Sequence, residues 1–592
     1  MNTKSLVLPV ILTALCTSLS SCSESKNKIW FAYSTENLIS DWDYFDGEED
    51  NEIYVNRDST LRFSCMKNEN EGVQLMITPE TFVESFDFEL PDVSGANGTI
   101  TKDHFSVAAA YYLDVEASNE RTSFAGYYPD ALIPLENYKF RRMNYIDEGR
   151  SQSLYINLKT EKDTPAGDYK GNGKLHLDGE IINIPFEVKV YDAVLPDAVH
   201  QDSAFGVWFD EIRKGEGKNA NSEMNQIYYD FAVSKRLGPI DLPSEDRSSF
   251  NTFVEALATK VAPNEKISTT RLPITQSNIN RSNVQSLFQK MIDKNLELRA
   301  KGDNSIDLFK KVYFYIDDEP SAATFDQVKA HDKLIFDLKK EMSSQLSSYP
   351  DLYESFTHIK NIVTKEYIEE MVATNEEGGI QTWCPQLHHM QTKEARERYR
   401  ERQTNAPRDY GENVWWYTCY DPQSPYPNFH LDAKVIYSRI LRYMQYAYQI
   451  EGQLFWNICY YSSWQGGFEG PRDVWTDANS WEGCACDGML VYPGYTFGIK
   501  GPITTLRLES ILAANEEYEY LWMIEQKVNE YNANHGTFLD ARDLLAKYFN
   551  RLFTNMIAET DVENFESIRL ELLNLVESLY ANLDGGMTLL LD

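Results

Sequence analysis

The chain has 592 residues, of which 56 are Lys or Arg and 91 are Asp or Glu, so its formal net charge is −35 at pH 7. A surface this acidic repels phosphate groups, which excludes nucleic acid as an expected partner. Hydrophobic residues make up 42% and aromatic residues 13% of the chain. Such a composition excludes a disordered acidic protein and indicates folded domains with sizeable cores.

The first 22 residues have the pattern of an export signal. Lys4 precedes a mostly apolar run over residues 5–15, which is too short to span a bilayer. The sequence Leu19-Ser20-Ser21-Cys22 resembles a bacterial lipobox, in which the cysteine is lipidated and becomes the first mature residue. We therefore expect residues 1–21 to be a lipoprotein signal peptide. Cys22 would then anchor an exported protein to the cell envelope, on the periplasmic or outer face of the outer membrane. A soluble secretory signal cut nearby is the alternative.

The later cysteines do not predict a metal site. The sequence contains no C-x-x-C and no H-E-x-x-H motif, the spacings that four-coordinate zinc sites commonly use. Cys484 and Cys486 are separated by one residue and predict either one end of a disulfide or two packed thiols. We expect no metal and no cofactor.

Residues 29–192 consist of short β-rich runs separated by turn residues. Examples are the segments 61–64, 73–77, 154–158, 173–177 and 184–190. Strands that follow one another without intervening helical patterns are typical of antiparallel sandwiches. The sequence therefore predicts a β-sandwich domain over residues 23–198.

Beyond residue 199 the pattern alternates between strand and helix. Helical periodicity covers residues 222–236, 283–300, 322–340 and 433–448. Eight strands are predicted, at residues 204–209, 239–242, 267–272, 311–316, 356–362, 379–384, 413–419 and 453–459. Eight such units predict a (β/α)8 TIM barrel, so we expect residues 199–592 to be a catalytic domain of that fold with a helical extension from about residue 502.

Three consecutive acids, Asp317, Asp318 and Glu319, follow the fourth predicted strand. In barrels of this kind, the chemistry lies at the carboxyl ends of the strands. Like charges this close should raise the pKa of one of the three carboxyls, which suits a general acid. Neighbouring side chains on a strand point to opposite faces, so two of these acids converge only if the chain bends, and Pro320 should hold Glu319 extended. The alternative is an acidic start to the next helix.

Aromatic residues are concentrated at the other strand ends. Flat rings beside carboxylates suit the C–H faces of sugars, whereas each ring taken alone is more often part of a core. The rings lie in or beside the first, sixth, seventh and eighth predicted strands, at Trp208, Trp383, Trp415, Trp416, Tyr417, Trp456 and Tyr460.

Several motifs together resemble glycoside hydrolase family 123 and its wider group of uncharacterised relatives. The resemblance spans almost the whole mature chain and is most specific in the C-terminal motifs. It depends on Asp317-Asp318-Glu319-Pro320, Trp383-Cys384-Pro385, Trp416-Tyr417, Asp487-Gly488-Met489-Leu490-Val491-Tyr492-Pro493-Gly494, Arg507-Leu508-Glu509 and Glu517-Tyr518-Glu519-Tyr520-Leu521.

The resemblance implies a retaining exo-β-N-acetylgalactosaminidase in which the 2-acetamido oxygen of the substrate attacks the anomeric carbon. Asp318 would orient the acetamido N–H, and Glu319 would act as acid and then as base. The substrate-binding residues would be Tyr417, as a second acetamido partner, Asp317, and the pocket walls Trp383, Trp416 and Trp456. Leu512-Ala513-Ala514 stands where the family pattern has Arg-Asp-Gly, so the sugar specificity stays open.

Two other functions are compatible with the sequence. A non-catalytic glycan-binding lipoprotein would use the aromatic residues without turnover. A glycosidase of different sugar specificity would pair Glu319 with Asp317 or with a distant carboxylate such as Asp210 or Asp421, and would accept sugars that lack the acetamido group. In each case the partner is a carbohydrate, and the only membrane contact is the N-terminal lipid.

Overall fold

We describe the fold from a computed structural model, in which residues 27–42, 44, 57–116, 124–481 and 483–591 are described. The predicted signal peptide and Cys22 lie outside these residues. Among the described residues, no helix is long and apolar enough to cross a membrane.

The described part of the N-terminal region contains two β-sheets and one short α-helix, α1 (Leu135–Phe140). Its strands are β1 (Lys28–Tyr33), β2 (Leu61–Lys67), β3 (Asn70–Thr78), β4 (Phe86–Glu89), β5 (Val93–Gly95), β6 (Gly98–Ile100), β7 (Phe105–Val115), β8 (Gly126–Pro134), β9 (Gln152–Lys159), β10 (Gly167–Leu177) and β11 (Glu180–Val194).

The two sheets pack face to face around an aromatic core. One sheet has the order β1-β3-β9-β7-β8, and the other has the order β2-β11-β10-β5-β6 with β4 also paired to β10. The ring of Phe105 from the first sheet lies 5.7 Å from the rings of both Phe63 and Phe186 of the second. The sheets are antiparallel as predicted, except that β2 and β11 pair in parallel.

A parallel sheet begins where the N-terminal sheets end. Its strands are β12 (Asp202–Phe205), β13 (Thr270–Arg271), β14 (Val312–Asp318), β15 (Lys360–Thr364), β16 (Thr382–Trp383), β17 (Asn413–Thr418) and β18 (Gly452–Phe455). The helices between them are α2 (Phe209–Glu216), α3 (Ser222–Ser234), α4 (Phe250–Ala256) with a π-turn (Leu257–Val261), α5 (Arg281–Ala300), α6 (Phe325–Met342), α7 (Pro350–Thr357), α8 (Lys393–Thr404) and α9 (Ile436–Ala447). All four predicted helices in this region are present within a few residues.

The predicted (β/α)8 barrel is wrong. Within the described residues the parallel sheet has seven strands in the order β12-β18-β17-β16-β15-β14-β13, and it is only nearly closed. The predicted strand at residues 239–242 is reduced to a single bridge between Phe205 and Pro239. Proline has no N–H to donate to a strand ladder, which limits pairing at this position. A second departure is the β15–β16 connection, which contains the 3₁₀ turn Glu369–Met371 instead of an α-helix.

Alternation along the parallel strands creates an inner and an outer face. Residues of the inner face form their own buried cluster, which includes Tyr313, Cys384, Trp415, Tyr417 and Leu454. Residues between them, such as Phe314 and Trp416, join the larger core. The inner face is therefore rich in aromatic side chains, and it leads to the carboxyl ends of the strands.

As far as the structure describes it, the C-terminal region adds short strands and four α-helices. The strands are β19 (Ser462–Gln465), β20 (Phe468–Pro471), β21 (Asn479–Trp481), β22 (Cys484–Ala485), β23 (Val491–Pro493), β24 (Pro502–Thr504), β25 (Phe553–Thr554) and β26 (Ile557–Ala558). The helices are α10 (Leu506–His535), α11 (Ala541–Leu552), α12 (Val562–Ala581) and α13 (Leu583–Leu591). Thr505 caps α10 by accepting the Leu508 N–H at 3.1 Å, and left-handed Gly536 ends the helix.

Candidate active site

A cleft opens at the carboxyl ends of the parallel strands and has a volume of about 720 Å³. Pockets of roughly 300 to 1,000 Å³ commonly hold small ligands. The lining of the cleft combines carboxylates with aromatic rings, among them Asp241, Asp318, Glu319, Asp421, Asp487, Trp208, Tyr313, Tyr315, Tyr417, Tyr420, Trp456 and Trp481.

A β-bulge in β14 selects which of the three consecutive acids faces the cleft. Tyr315 lines the cleft, whereas Ile316 packs in the outer core. Regular alternation would then place Asp317 in the cleft. The pairing with β15 shifts between Tyr315 and Asp317, so one extra residue is inserted in β14. Asp318 therefore shares the inner face with Tyr315.

Asp318 is held by two hydroxyl donors. The Tyr315 hydroxyl donates to Asp318 Oδ1 at 2.7 Å, and the Thr364 hydroxyl donates to the same oxygen at 2.9 Å. Burial raises the pKa of Tyr315 well above its usual value, with the charge of Asp318 as a further cause, so the phenol keeps its proton. Asp318 is thus fixed as an acceptor at the edge of the cleft.

Glu319 reaches the same cleft because the backbone turns sharply at this residue. Its φ is +46°, in the left-handed region that non-glycine residues rarely adopt, so the extended geometry expected before Pro320 is wrong. The Glu319 N–H donates to Thr364 Oγ1 at 2.8 Å, and Glu319 Oε1 accepts a close hydrogen bond from the Tyr417 hydroxyl. Burial, followed by this hydrogen bond, raises the pKa of Tyr417, which keeps the phenol a donor.

Asp317 lies behind the cleft and does not line it. The residue is 7% exposed, and its Oδ1 accepts the Asp318 N–H at 2.9 Å. Burial is the main cause that raises the pKa of Asp317, and the charge of Asp318 raises it further. The acids also do not start the next helix, because α6 begins at Phe325 after Thr324.

The other wall of the cleft contains charged residues that the sequence reasoning missed. Arg271 donates to both carboxylate oxygens of Asp241, at 3.0 and 2.6 Å. Arg271 ends β13, so its position at a strand end was the available signal. Asp241 follows the bridge at Pro239 and lies near the end of the predicted strand 239–242, so its position gave the same signal.

Asp487 and Trp456 form a further part of this wall. The Trp456 indole N–H donates to Asp487 Oδ2 at 3.1 Å, and burial raises the pKa of Asp487. Gly488 has a φ of +73°, and a Cβ there would lie 2.1 Å from the Trp456 ring, so only glycine lets the loop pass this close. The Asp487-Gly488 motif thus contributes a carboxylate to the cleft.

Two of the three predicted tryptophan walls lie elsewhere. Trp383 is fully buried, and its indole N–H donates to Glu412 Oε2 at 2.8 Å. Trp416 is also fully buried, on the outer face of β17. Neither lines the cleft, because alternation gives the inner face to Cys384 and Tyr417 instead. The expectation is wrong for these two residues, whereas Trp456 and Tyr417 do line the cleft.

The cysteines in the described part of the chain are free thiols, and Cys484 and Cys486 are buried. Of the two alternatives for this pair, the structure therefore shows packed thiols. Within the same residues, no group of three or more His, Cys, Asp or Glu side chains is placed to hold a metal ion.

Comparisons with known proteins cover most of the residues that line this cleft. Residues 273–524 match the family model described as glycoside hydrolase 123, catalytic domain. A search of curated proteins finds no significant match.

Among solved structures, the chain is similar to a family 123 glycoside hydrolase from Clostridium perfringens, described in a study of glycolipid glycan hydrolysis. The TM-score is 0.59 at 13% identity, over 95% of this chain and 99% of that chain. β-Glucuronidase 3 of Bacteroides uniformis matches at a TM-score of 0.19 and 10% identity, over 67% of this chain and 46% of that chain, which is too weak to support an argument. The predicted resemblance is confirmed: residues 273–524 match the catalytic-domain model of glycoside hydrolase family 123, and the whole chain is similar in fold to an enzyme of that family.

Proposed function

We propose that this protein is a retaining β-N-acetylgalactosaminidase that acts on glycans or glycolipids by substrate-assisted catalysis. The observation that carries the proposal is the convergence of two sequence neighbours, Asp318 and Glu319, on one cleft. The solved relative described in a study of glycolipid glycan hydrolysis supports the choice of substrate class.

In the proposed reaction the sugar supplies its own nucleophile. The 2-acetamido oxygen attacks the anomeric carbon, the glycosidic C–O bond breaks, and Glu319 gives its proton to the leaving oxygen. Asp318 accepts a hydrogen bond from the acetamido N–H and stabilises the positive charge of the oxazolinium intermediate. Water then attacks the anomeric carbon, the bond from this carbon to the acetamido oxygen breaks, and the water gives a proton to Glu319. This step restores the acetamido group and the enzyme, and the two displacements together retain the β configuration.

The hydrogen bonds in the cleft favour this division of roles. Asp318 accepts from two hydroxyls that hold it in place, so its remaining oxygen is available to the acetamido group. Glu319 is exposed to the cleft and is oriented by the Tyr417 hydroxyl. Tyr417 therefore acts on Glu319 in the absence of substrate, and its contact with the acetamido group stays a prediction.

The test compares two aryl substrates and two variants. We expect the wild-type protein to hydrolyse an aryl 2-acetamido-2-deoxy-β-galactoside and not its 2-hydroxy counterpart. NMR of the reaction should show the β anomer of the released sugar as the first product. Glu319→Gln and Asp318→Asn should each lower kcat by at least about 100-fold. Equal hydrolysis of both sugars would exclude the acetamido nucleophile, and binding without turnover of any amino sugar would favour a glycan-binding protein.

We also propose that the protein is exported and lipid-anchored through Cys22. The support is the lipobox-like sequence alone. Mass spectrometry of the mature N-terminus tests it: a diacylglyceryl modification on Cys22 is expected, and an unmodified terminus elsewhere would contradict it.

A further inference from the structure

A row of tryptophan rings leads out of the cleft onto an exposed hairpin. Trp456 and Trp481 both line the cleft, with ring centroids 6.3 Å apart. The next ring, Trp464, lies 5.6 Å from Trp481 at an interplanar angle of 36° and is 39% exposed. The rings are therefore continuous from the cleft to the surface.

Strand register places Trp464 and Trp481 on the same face of the small sheet formed by β19 to β22. Trp464 is paired with Trp481 of β21 and with Glu469 of β20. Phe468 is paired with Gln465, so it points to the opposite face of the hairpin although it is 79% exposed. Trp464 and Phe468, the two large exposed rings of this hairpin, therefore lie on opposite faces.

An ion pair lies beside the Trp464 ring. Glu469, the cross-strand partner of Trp464, makes a close ion pair with Lys214. The Lys214 ammonium also donates to Ser462 Oγ at 2.7 Å. The Lys214 ammonium also makes a close ion pair with Glu211, so its three protons already have acceptors. Glu469, whose side chain is 43% exposed, therefore offers carboxylate lone pairs to the hydroxyls of a ligand that covers the ring.

We propose that Trp464, Trp481 and the Lys214–Glu469 pair form a second sugar subsite, which holds the sugar on the leaving-group side of the cleaved bond. This inference rests on the proposed function, since it assumes that the cleft holds the sugar that is cleaved off. A pyranose ring has an apolar C–H face for the indole and a rim of hydroxyls for the ion pair. A lipid bilayer that covered the ring would remove water from this ion pair and offer it no hydroxyl groups in return. Because burying charges without such partners is costly, a sugar is the favoured occupant.

The test uses a matched pair of variants from the same hairpin. Trp464→Ala should lower kcat/KM about 10-fold for a free trisaccharide that ends in β-N-acetylgalactosamine. It should leave kcat/KM within about 2-fold of wild type for methyl β-N-acetylgalactosaminide, whose leaving group is too small to cover the Trp464 ring. Phe468→Ala should leave kcat/KM for both substrates unchanged. Trp464→Tyr should keep most of the wild-type kcat/KM for the trisaccharide.

Binding keeps the subsite testable independently of turnover. In a Glu319→Gln background, Trp464→Ala should weaken trisaccharide binding by a similar factor in calorimetry. A wild-type protein that cleaves no amino sugar contradicts the proposed function, yet this binding result would still support the subsite. The subsite is overturned if Trp464→Ala leaves kcat/KM for the trisaccharide unchanged or lowers kcat/KM equally for both substrates. It is also overturned if Trp464→Ala lowers kcat/KM only for the same glycan presented as a glycolipid in phosphatidylcholine vesicles.

Discussion

Glu319 and Asp318 occupy the same cleft because two local backbone changes occur in succession. The bulge before Asp317 turns Asp318 inward, and the left-handed backbone at Glu319 keeps the next side chain on the same side. A non-glycine residue in this region costs roughly 1 to 2 kcal/mol, which the surrounding contacts must offset. The Thr364 hydroxyl contributes, because it bonds to both residues.

Tyr417→Phe should lower kcat while leaving the fold intact. The variant keeps the buried ring and removes only the hydroxyl that donates to Glu319. A hydrogen bond to a charged group contributes about 1.5 to 3 kcal/mol, so the expected loss in kcat is roughly 10- to 150-fold.

Steady-state kinetics on the aryl substrate and the thermal midpoint measure the two effects. Tyr580→Phe, on the exposed part of α12, is the control and should match wild type. A Tyr417→Phe protein with full kcat would show that the contact with Glu319 does not orient the acid.

At the scale of elements, β14 shows how one inserted residue reassigns function. In a regular strand Asp317 would follow Tyr315 into the cleft, and Asp318 would face the helices. The bulge reverses this assignment. The sequence contains the three acids but not the pairing with β15, which places the extra residue.

Asp317→Asn should keep kcat within about 5-fold of wild type, because Asp317 lies behind the cleft and does not contact the substrate. Asp318→Asn should instead lower kcat by at least about 100-fold.

The Asp317→Asn variant also tests the burial of Asp317. Burial raises the pKa of this carboxyl, so its contribution to stability is present below the unfolded pKa and is lost as the pH rises through the folded pKa.

Asp317→Asn should therefore raise the unfolding midpoint at pH 7 and leave it nearly unchanged at pH values where the carboxyl is protonated in both states. Urea denaturation at pH 7 and at acid pH measures this difference. A loss of activity as large as that of Asp318→Asn would instead support a glycosidase that uses Asp317 as its second carboxylate.

Alternation also explains the misplaced tryptophans. Trp416 and Tyr417 are neighbours on β17, so only one of them can face the cleft, and the sequence alone already excludes both being walls. Which of the two faces inward depends on the packing of β17 between β16 and β18. The same reasoning applies to Trp383 and its neighbour Cys384.

For the whole molecule, the C-terminal motifs join the N-terminal sheets to the catalytic region. Arg507, at the start of α10, donates to both carboxylate oxygens of Asp130 in β8, at 2.9 and 2.7 Å. It also donates to the carbonyl oxygens of Phe429 and Met489 at 2.7 and 2.6 Å. Both charged side chains are at most 1% exposed. Arg507 therefore contributes to the packing of the regions against each other and does not line the cleft.

Arg507→Met should lower the free energy of unfolding by about 3 to 5 kcal/mol, because the substitution leaves the Asp130 carboxylate buried without its partner. Adding Asp130→Asn should recover part of this loss. Arg213→Met removes an exposed ion pair with Asp210 and should cost at most about 0.5 kcal/mol. Urea denaturation compares the three proteins, and a loss below about 1 kcal/mol for Arg507→Met would contradict the role of this pair.

The sequence by itself determined the features that depend on neighbouring residues. The β-rich runs located five strands of the N-terminal sheets and the seven strands of the parallel sheet, and the helical periodicity located α3, α5, α6 and α9. The motifs indicated the resemblance to family 123. These signals are local, because burial of one face imposes a repeat on the residues that form it.

Only the tertiary structure decided which of these residues meet. The inward turn of Asp318, the burial of Trp383 and Trp416, the missing eighth strand and the Asp241–Arg271 pair in the cleft all depend on register between segments far apart in the chain. A shift of one residue in that register exchanges the inner and outer faces of a strand, and no local pattern specifies it.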